Sequence, residues 1–64
     1  MESFLQFFEY DHLPPDLQLV SEPFHHMAKW MAKELPRNPE STVAMRYLLQ
    51  AKDCAARAVI FKSE

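Results

Sequence analysis

Apolar residues recur every three or four positions through the first half of the chain. The repeat runs from Leu17 to Leu35 and predicts an α-helix with one buried face. Its members are Leu17, Val20, Phe24, Met27, Ala28, Met31 and Leu35. Pro14 and Pro15 precede the repeat and suit a first helical turn, because the missing proline N–H would have no partner there. We therefore predict a first helix over residues 14–35.

A proline lies inside this predicted helix. Pro23 cannot donate a backbone hydrogen bond, and its ring clashes with the carbonyl group four residues earlier. Ser21 and Glu22, just before the proline, are residues that commonly start a helix. We therefore expect a kink or a short break at residues 21–23.

A second helix is expected after a short turn. Pro36 stops the first helix, Asn38 is a favourable N-cap, and Pro39 suits the first helical position. No helix breaker follows, so we predict a turn at residues 36–38 and a second helix at residues 39–61. Two long helices with so short a connection run antiparallel. The predicted fold is therefore an all-α helical hairpin that forms a single domain.

The segment before the hairpin, residues 1–13, is apolar nearly all round. Ser3 and Gln6 have the spacing of a capping box, which favours a short helix. The distribution of apolar residues favours a short turn or an extended N-terminal arm. We expect this arm to pack on the hairpin, either its own or that of a neighbouring subunit.

The second helix carries two apolar rows when successive residues are placed about 100° apart. The first row, expected to pack on the first helix, contains Ala44, Leu48, Ala51, Ala55, Ala58 and Val59. The second row contains Met45, Leu49, Ala56 and Ile60, and Lys52 lies between the two rows. A helix that is apolar on nearly all sides is buried on nearly all sides, which one hairpin does not achieve. We therefore predict that the second row, together with Trp30 on the first helix, is the interface of a helix-bundle homo-oligomer. The alternative is a monomer with an apolar surface.

Size and composition favour the same assembly. A chain of 64 residues buries only about 60% of the surface that its unfolded form exposes, so it is marginal alone. An internal disulfide is excluded because Cys54 is the single cysteine, and no Cys/His cluster has structural zinc spacing. Association between subunits is then the expected source of stability, in keeping with a chain that is 48% hydrophobic.

Charge and targeting patterns narrow the partners. The net charge of −2 disfavours a DNA or RNA duplex, because binding a duplex requires a basic face. No signal peptide and no apolar run of about 20 residues is recognisable, so we expect no membrane partner. The single unpaired cysteine fits a reducing, cytoplasmic location.

Catalytic and metal-binding patterns are not recognisable. His25 and His26 are neighbours and point about 100° apart on a helix, which does not favour a shared metal ion. Cys54 lies among alanines and is expected to be a small core residue. The chain has no glycine and hence no glycine-rich phosphate loop. We expect neither an enzyme nor a bound cofactor.

Three side chains leave a binding role open. Arg46 and Arg57 lie on one polar stripe of the second helix with Asp53 between them. They can form an intrahelical ion pair with Asp53, or face a pocket between subunits where their planar groups suit phosphate oxygens. Tyr10 is similarly either part of an aromatic lid on the core or a stacking platform for a nucleobase.

The order of these motifs resembles a known family. Tyr10 precedes "LPP" at residues 13–15, which opens the first helix, and the second helix ends in "RAV" at residues 57–59. This order is similar to that of the hairpin proteins with which bacteriophages sequester cyclic-nucleotide signals of the CBASS and Thoeris immune systems. The resemblance covers about residues 10–60.

The resemblance implies a non-enzymatic sponge that acts in the host bacterial cytosol. It implies an oligomer of hairpins that holds a cyclic di- or trinucleotide, or a related nucleotide signal, between adjacent subunits. Tyr10 matches the aromatic residue that stacks on a base, and Arg57 matches the arginine of the closing motif. The basic position midway along the first helix has no clean equivalent; His25, His26 or Lys29 would fill it. The shorter helices and loop do not imply a second, larger pocket.

We therefore predict that the ligand is bound by five residues: Tyr10, His26, Lys29, Arg46 and Arg57. The main rival function is a small helical module that binds another protein through its second apolar row and holds no small molecule. A DNA-binding regulator is disfavoured by the charge and by the lack of a basic recognition helix.

Overall fold

A computed structural model of the protein describes residues 5–61. A 3-10 turn at Gln6–Phe8 precedes two α-helices, α1 at Pro15–Glu34 and α2 at Pro39–Phe61. The two helices pack on each other along the chain's long dimension, and the 3-10 turn packs mainly on α1. The predicted all-α helical hairpin is confirmed. Residues 1–4 of the predicted N-terminal arm lie outside the described part of the chain, and no described helix is long and apolar enough to cross a bilayer.

The start of α1 is set by the two prolines. Pro14 is extended, with φ −58° and ψ 157°, and Pro15 occupies the beginning of the helix. Asp16 places a carboxylate in the first turn, where the helix dipole favours negative charge. The helix then continues through Pro23, so of the predicted kink or short break the break does not occur. The carbonyl group that Pro23 leaves without a partner belongs to Leu19, which is 74% exposed, so water can solvate it.

The connection between the helices is closed by reciprocal hydrogen bonds. Leu35 leaves the helical conformation with ψ 141°, as the residue before Pro36 prefers. The Ser41 N–H donates to Asn38 Oδ1 at 2.9 Å, and the Asn38 N–H donates to Ser41 Oγ at 3.0 Å. These bonds resemble a capping box in which serine takes the usual place of glutamate or glutamine. They fix where α2 begins.

The core lies between the two helices and the N-terminal arm. Its buried apolar residues are Phe8, Ala28, Met31 and Met45. Met45 is 0% exposed, so it cannot contact a neighbouring subunit as the sequence-based interface required. Leu49 also packs partly against this core. The face of α2 that packs inward therefore lies between the two predicted rows, and those rows are its edges.

Other residues depart from the predicted faces. Ala51 and Ala58, expected to pack on the first helix, are exposed. Met27, expected on the buried face of the first helix, is half exposed. Lys52 lies near the middle of the inward face, and its ammonium donates to the Phe7 carbonyl oxygen and lies 5.7 Å from the centre of the Phe8 ring. The arm thus covers part of the surface that the sequence assigned to a second subunit.

Replacement of Met45 by alanine is expected to lower the free energy of unfolding by about 2–5 kcal/mol, because it removes a fully buried side chain and leaves a cavity. Leu19→Ala, at an exposed position of α1, is the control and is expected to change it by about 0.5 kcal/mol or less. Denaturant unfolding at several protein concentrations measures both. If the loss of unfolding free energy in Met45→Ala disappears when the protein is diluted, Met45 lies at a subunit interface instead.

Asn38→Ala is expected to lower the free energy of unfolding by about 1 kcal/mol, because it removes the acceptor that caps α2. Asn38→Asp keeps a side-chain oxygen in that place and is expected to retain most of the stability. Ser41→Ala breaks the reciprocal bond, so the double variant should cost less than the sum of the single variants. Strict additivity in thermal unfolding would show that the two bonds do not act together.

Candidate functional site

The elbow between the 3-10 turn and α1 is held by hydrogen bonds to its own backbone. The Gln18 side-chain amide donates to the carbonyl oxygens of Leu13, at 2.7 Å, and Asp11, at 3.2 Å. The Leu13 N–H donates to the Tyr10 carbonyl oxygen at 3.1 Å, which closes a tight turn. Two prolines restrict the backbone immediately afterwards. Tyr10 is thus carried by a segment with few free torsions.

The Tyr10 side chain lies against α1 and is half-buried. Its ring meets the His25 ring edge to face, with ring centres 5.0 Å apart. Its hydroxyl donates to Glu22 Oε2 at 3.5 Å. Loss of hydration raises the pKa of the Tyr10 phenol, and the negative charges of Glu22 and Asp11 and the hydrogen bond to Glu22 raise it further. Tyr10 is therefore a neutral hydrogen-bond donor at neutral pH.

The two histidines have different partners. The Nδ1 atom of His25 lies 3.1 Å from the Phe8 carbonyl oxygen. A carbonyl oxygen only accepts, so Nδ1 carries the proton and ties the arm to α1. The Nε2 atom of His26 lies 3.5 Å from Glu22 Oε2, one helical turn away, and both side chains are substantially exposed. We call Tyr10, Glu22, His25 and His26 the Tyr10 cluster.

Glu22 is the member of this cluster whose role the sequence analysis missed. Its carboxylate receives the Tyr10 hydroxyl and faces His26. The four-residue spacing from Glu22 to His26 is the available sequence signal, because residues that far apart are neighbours on a helix. The bond to Tyr10 depends on how the elbow folds back and has no local signal. Glu22 places a negative charge beside His26, one of the residues that would fill the basic position implied by the resemblance.

The other predicted ligand residues lie apart from the cluster's centre. Lys29 is exposed on α1, one turn beyond His26 on the same polar stripe. Arg46 and Arg57 are exposed on α2, and their eleven-residue separation places them roughly 16 Å apart along the helix axis. The Arg57 guanidinium donates to Cys54 Sγ at 3.2 Å, and the ion pair with Asp53, one of the two alternatives for these arginines, is not formed within residues 5–61. The structure therefore brings Tyr10 and His26 together but leaves the two arginines separate.

A second surface feature lies on the side of α1 that faces away from α2. Pro23, His26, Met27 and Trp30 line an open, mainly apolar groove of about 480 Å³. Trp30, predicted to be an interface residue, is 55% exposed there. In the described part of the chain, no group of three or more His, Cys, Asp or Glu side chains converges as a metal site would require.

The chain matches no protein-family model, and neither a curated protein nor a solved structure is significantly similar to it.

The Tyr10 phenol is expected to titrate above the ordinary tyrosine value of about 10, for the reasons given above. Phenolate absorbance in a Tyr47→Phe background reports Tyr10 alone, and Glu22→Gln should lower the midpoint. Because the folded-state pKa is raised, the stability that this group contributes is complete below pH about 10 and is lost as pH rises through the folded-state value. If the Tyr10 titration has its midpoint at the ordinary tyrosine value and Glu22→Gln does not change it, the phenol does not contact Glu22.

Proposed function

We propose that the protein binds a cyclic oligonucleotide or a related nucleotide signal at the Tyr10 cluster and sequesters it without degrading it. The observation that carries this proposal is the Tyr10 ring, which a restrained elbow holds at the surface against the His25 imidazole, with that of His26 next to it. A ring fixed before binding loses little conformational entropy when a base stacks on it. In the setting that the resemblance implies, this activity would inhibit antiphage defence in the bacterial cytosol.

Phosphate recognition requires more positive charge than the Tyr10 cluster of one chain supplies. Glu22 and Asp11 lie beside Tyr10 and oppose an anion, whereas His26, when protonated, and Lys29 attract it. Arg46 and Arg57 are too far from each other to hold one phosphate within a single chain. A site between subunits of a homo-oligomer resolves this conflict, because a neighbour can bring an arginine of its α2 to the Tyr10 cluster. We therefore place the ligand at a subunit interface.

The groove on α1 supports a second candidate function. Met27 and Trp30 are both exposed on α1, and exposed methionine and tryptophan side chains are typical of surfaces that bind another protein. In this alternative the chain is a helical interaction module that holds no small molecule. The sequence-based choice for such contacts was the second predicted row of α2, a different surface, in which Ile60 is 60% exposed.

Thermal unfolding with a panel of cyclic di- and trinucleotides and cyclic ADP-ribose isomers tests the proposed function. A ligand at about 100 times its Kd stabilises the folded state by roughly 2.7 kcal/mol, which is a large shift for a domain of this size. Tyr10→Ala should remove the shift, whereas Tyr10→Phe should keep most of it because the stacking ring is retained. Arg57→Ala should weaken binding, and Arg37→Ala, at an exposed position of the interhelical turn, is its matched control.

Each variant must retain its helical circular dichroism and its mass in solution before its affinity is compared. No shift with any ligand of the panel would favour the protein-binding alternative. Equal affinities for Tyr10→Ala and the unsubstituted protein would exclude Tyr10 as the stacking residue, even if a nucleotide binds elsewhere.

A further inference from the structure

The outer face of α2 carries an apolar stripe that the hairpin does not use. Its residues alternate four and three positions apart: Tyr47, Ala51, Cys54, Ala58 and Phe61. This is the spacing of the seam in a coiled coil, where two helices pack along their lengths. All five residues are exposed, and the aromatic residues at its two ends are each 65% exposed. We call this set the α2 seam.

The α2 seam points away from the core. At about 100° per residue, its members occupy an arc of about 80° whose centre lies roughly opposite Met45, the fully buried residue of α2. Within residues 5–61, its five members therefore stay exposed. A monomer would leave two large aromatic side chains and three small apolar positions in water along roughly 21 Å of helix.

We propose that the α2 seam is a two-fold symmetric interface that packs antiparallel against the α2 seam of a second copy of the chain. The order of side-chain sizes carries this inference, because the stripe reads large, small, small, small, large about Cys54. Antiparallel pairing centred on Cys54 sets Tyr47 of each copy opposite Phe61 of the other, and brings Ala51 within one residue of the level of Ala58. The central small side chains let the two backbones approach closely, and the aromatic pairs close both ends.

The polar edge of the α2 seam fits the same arrangement. Gln50 and Arg57 lie on one edge, one turn to either side of the centre. In an antiparallel pair, equivalent edges face each other, so the Arg57 guanidinium comes beside the Gln50 side-chain oxygen of the other copy. In a parallel pair this edge would face the opposite edge, where Ala55 offers no acceptor. Antiparallel packing also sets the two helix dipoles in favourable opposition.

The area involved indicates a weak interface. The four aromatic rings of the pair would lose roughly 500 Å² of exposed surface, given their present exposure. The small residues and both edges add to this, against about 1,200 Å² for the smaller stable interfaces. The pairing should therefore depend on protein concentration. It goes beyond the proposed function, since it needs no ligand.

Because Cys54 is the only cysteine, the unsubstituted chain reports its own pairing. With oxidised glutathione as the oxidant, two Cys54 thiols form one disulfide while glutathione disulfide is reduced to two thiols. We expect a covalent dimer on a non-reducing gel, formed faster as the protein concentration rises. Ala58→Glu places a charge in the seam and should slow cross-linking at least tenfold and lower the mass in solution under reducing conditions. Lys33→Glu, on the exposed stripe of α1, is the control and should do neither.

Two further variants determine the orientation. One combines Cys54→Ala with Ala51→Cys, and the other combines Cys54→Ala with Ala58→Cys; both keep the aromatic ends. Antiparallel packing predicts that the two variants cross-link to each other when mixed and only slowly to themselves. Self-cross-linking of each variant would overturn the antiparallel register. If the unsubstituted chain is monomeric and cross-links slowly, and Ala58→Glu changes neither its mass nor its cross-linking rate, the proposed interface does not exist. Neither result depends on nucleotide binding, so failure of the proposed function is measured separately.

Discussion

Phe8 lies outside both helices, yet its side chain is completely buried in the core between them. Its burial anchors the arm, and the polar contacts that surround it follow from that position. His25 donates to the Phe8 carbonyl oxygen, and Lys52 of the other helix donates to that of Phe7. The arm therefore connects α1 to α2, and Tyr10 reaches its place two residues later. The geometry of the Tyr10 cluster depends on a core residue that takes no part in it.

The sequence predicts the helices well because their signals are local. Prolines at residues 14, 15, 36 and 39, and a cap at Asn38, act through the backbone of their immediate neighbours. Of the kink or short break expected near Pro23, the break does not occur, because the affected carbonyl group is on the exposed side of α1, where solvent can replace the lost hydrogen bond. Helical breaks depend on which side of the helix the proline occupies, and the packing of the hairpin decides that side.

The faces of α2 were less predictable, for a physical reason. Lys52 separates two apolar rows in the sequence, and a lysine within a face normally indicates solvent. In the structure its ammonium donates to a backbone carbonyl oxygen of the arm and lies near the Phe8 ring, so the residue belongs to the inward face. Met45 and Leu49 then join the core, and Ala51 and Ala58 turn outward. Of the candidate site, the proximity of Tyr10 to the first helix was foreseeable from the short elbow, but its bond to Glu22 required the fold.

Both the charges of the Tyr10 cluster and the exposed small residues of the α2 seam favour association of several chains. A carboxylate beside Tyr10 makes one chain a poor site for an anion, unless cations arrive from elsewhere. Arg57 lies at the edge of the α2 seam, where its guanidinium already reaches Cys54. Pairing of two seams would bring the Arg57 side chains of both copies to one interface and remove some of the water around them, which strengthens their attraction for phosphate. Assembly through the α2 seam would then supply part of the missing burial of a 64-residue chain and gather positive charge at the new interface.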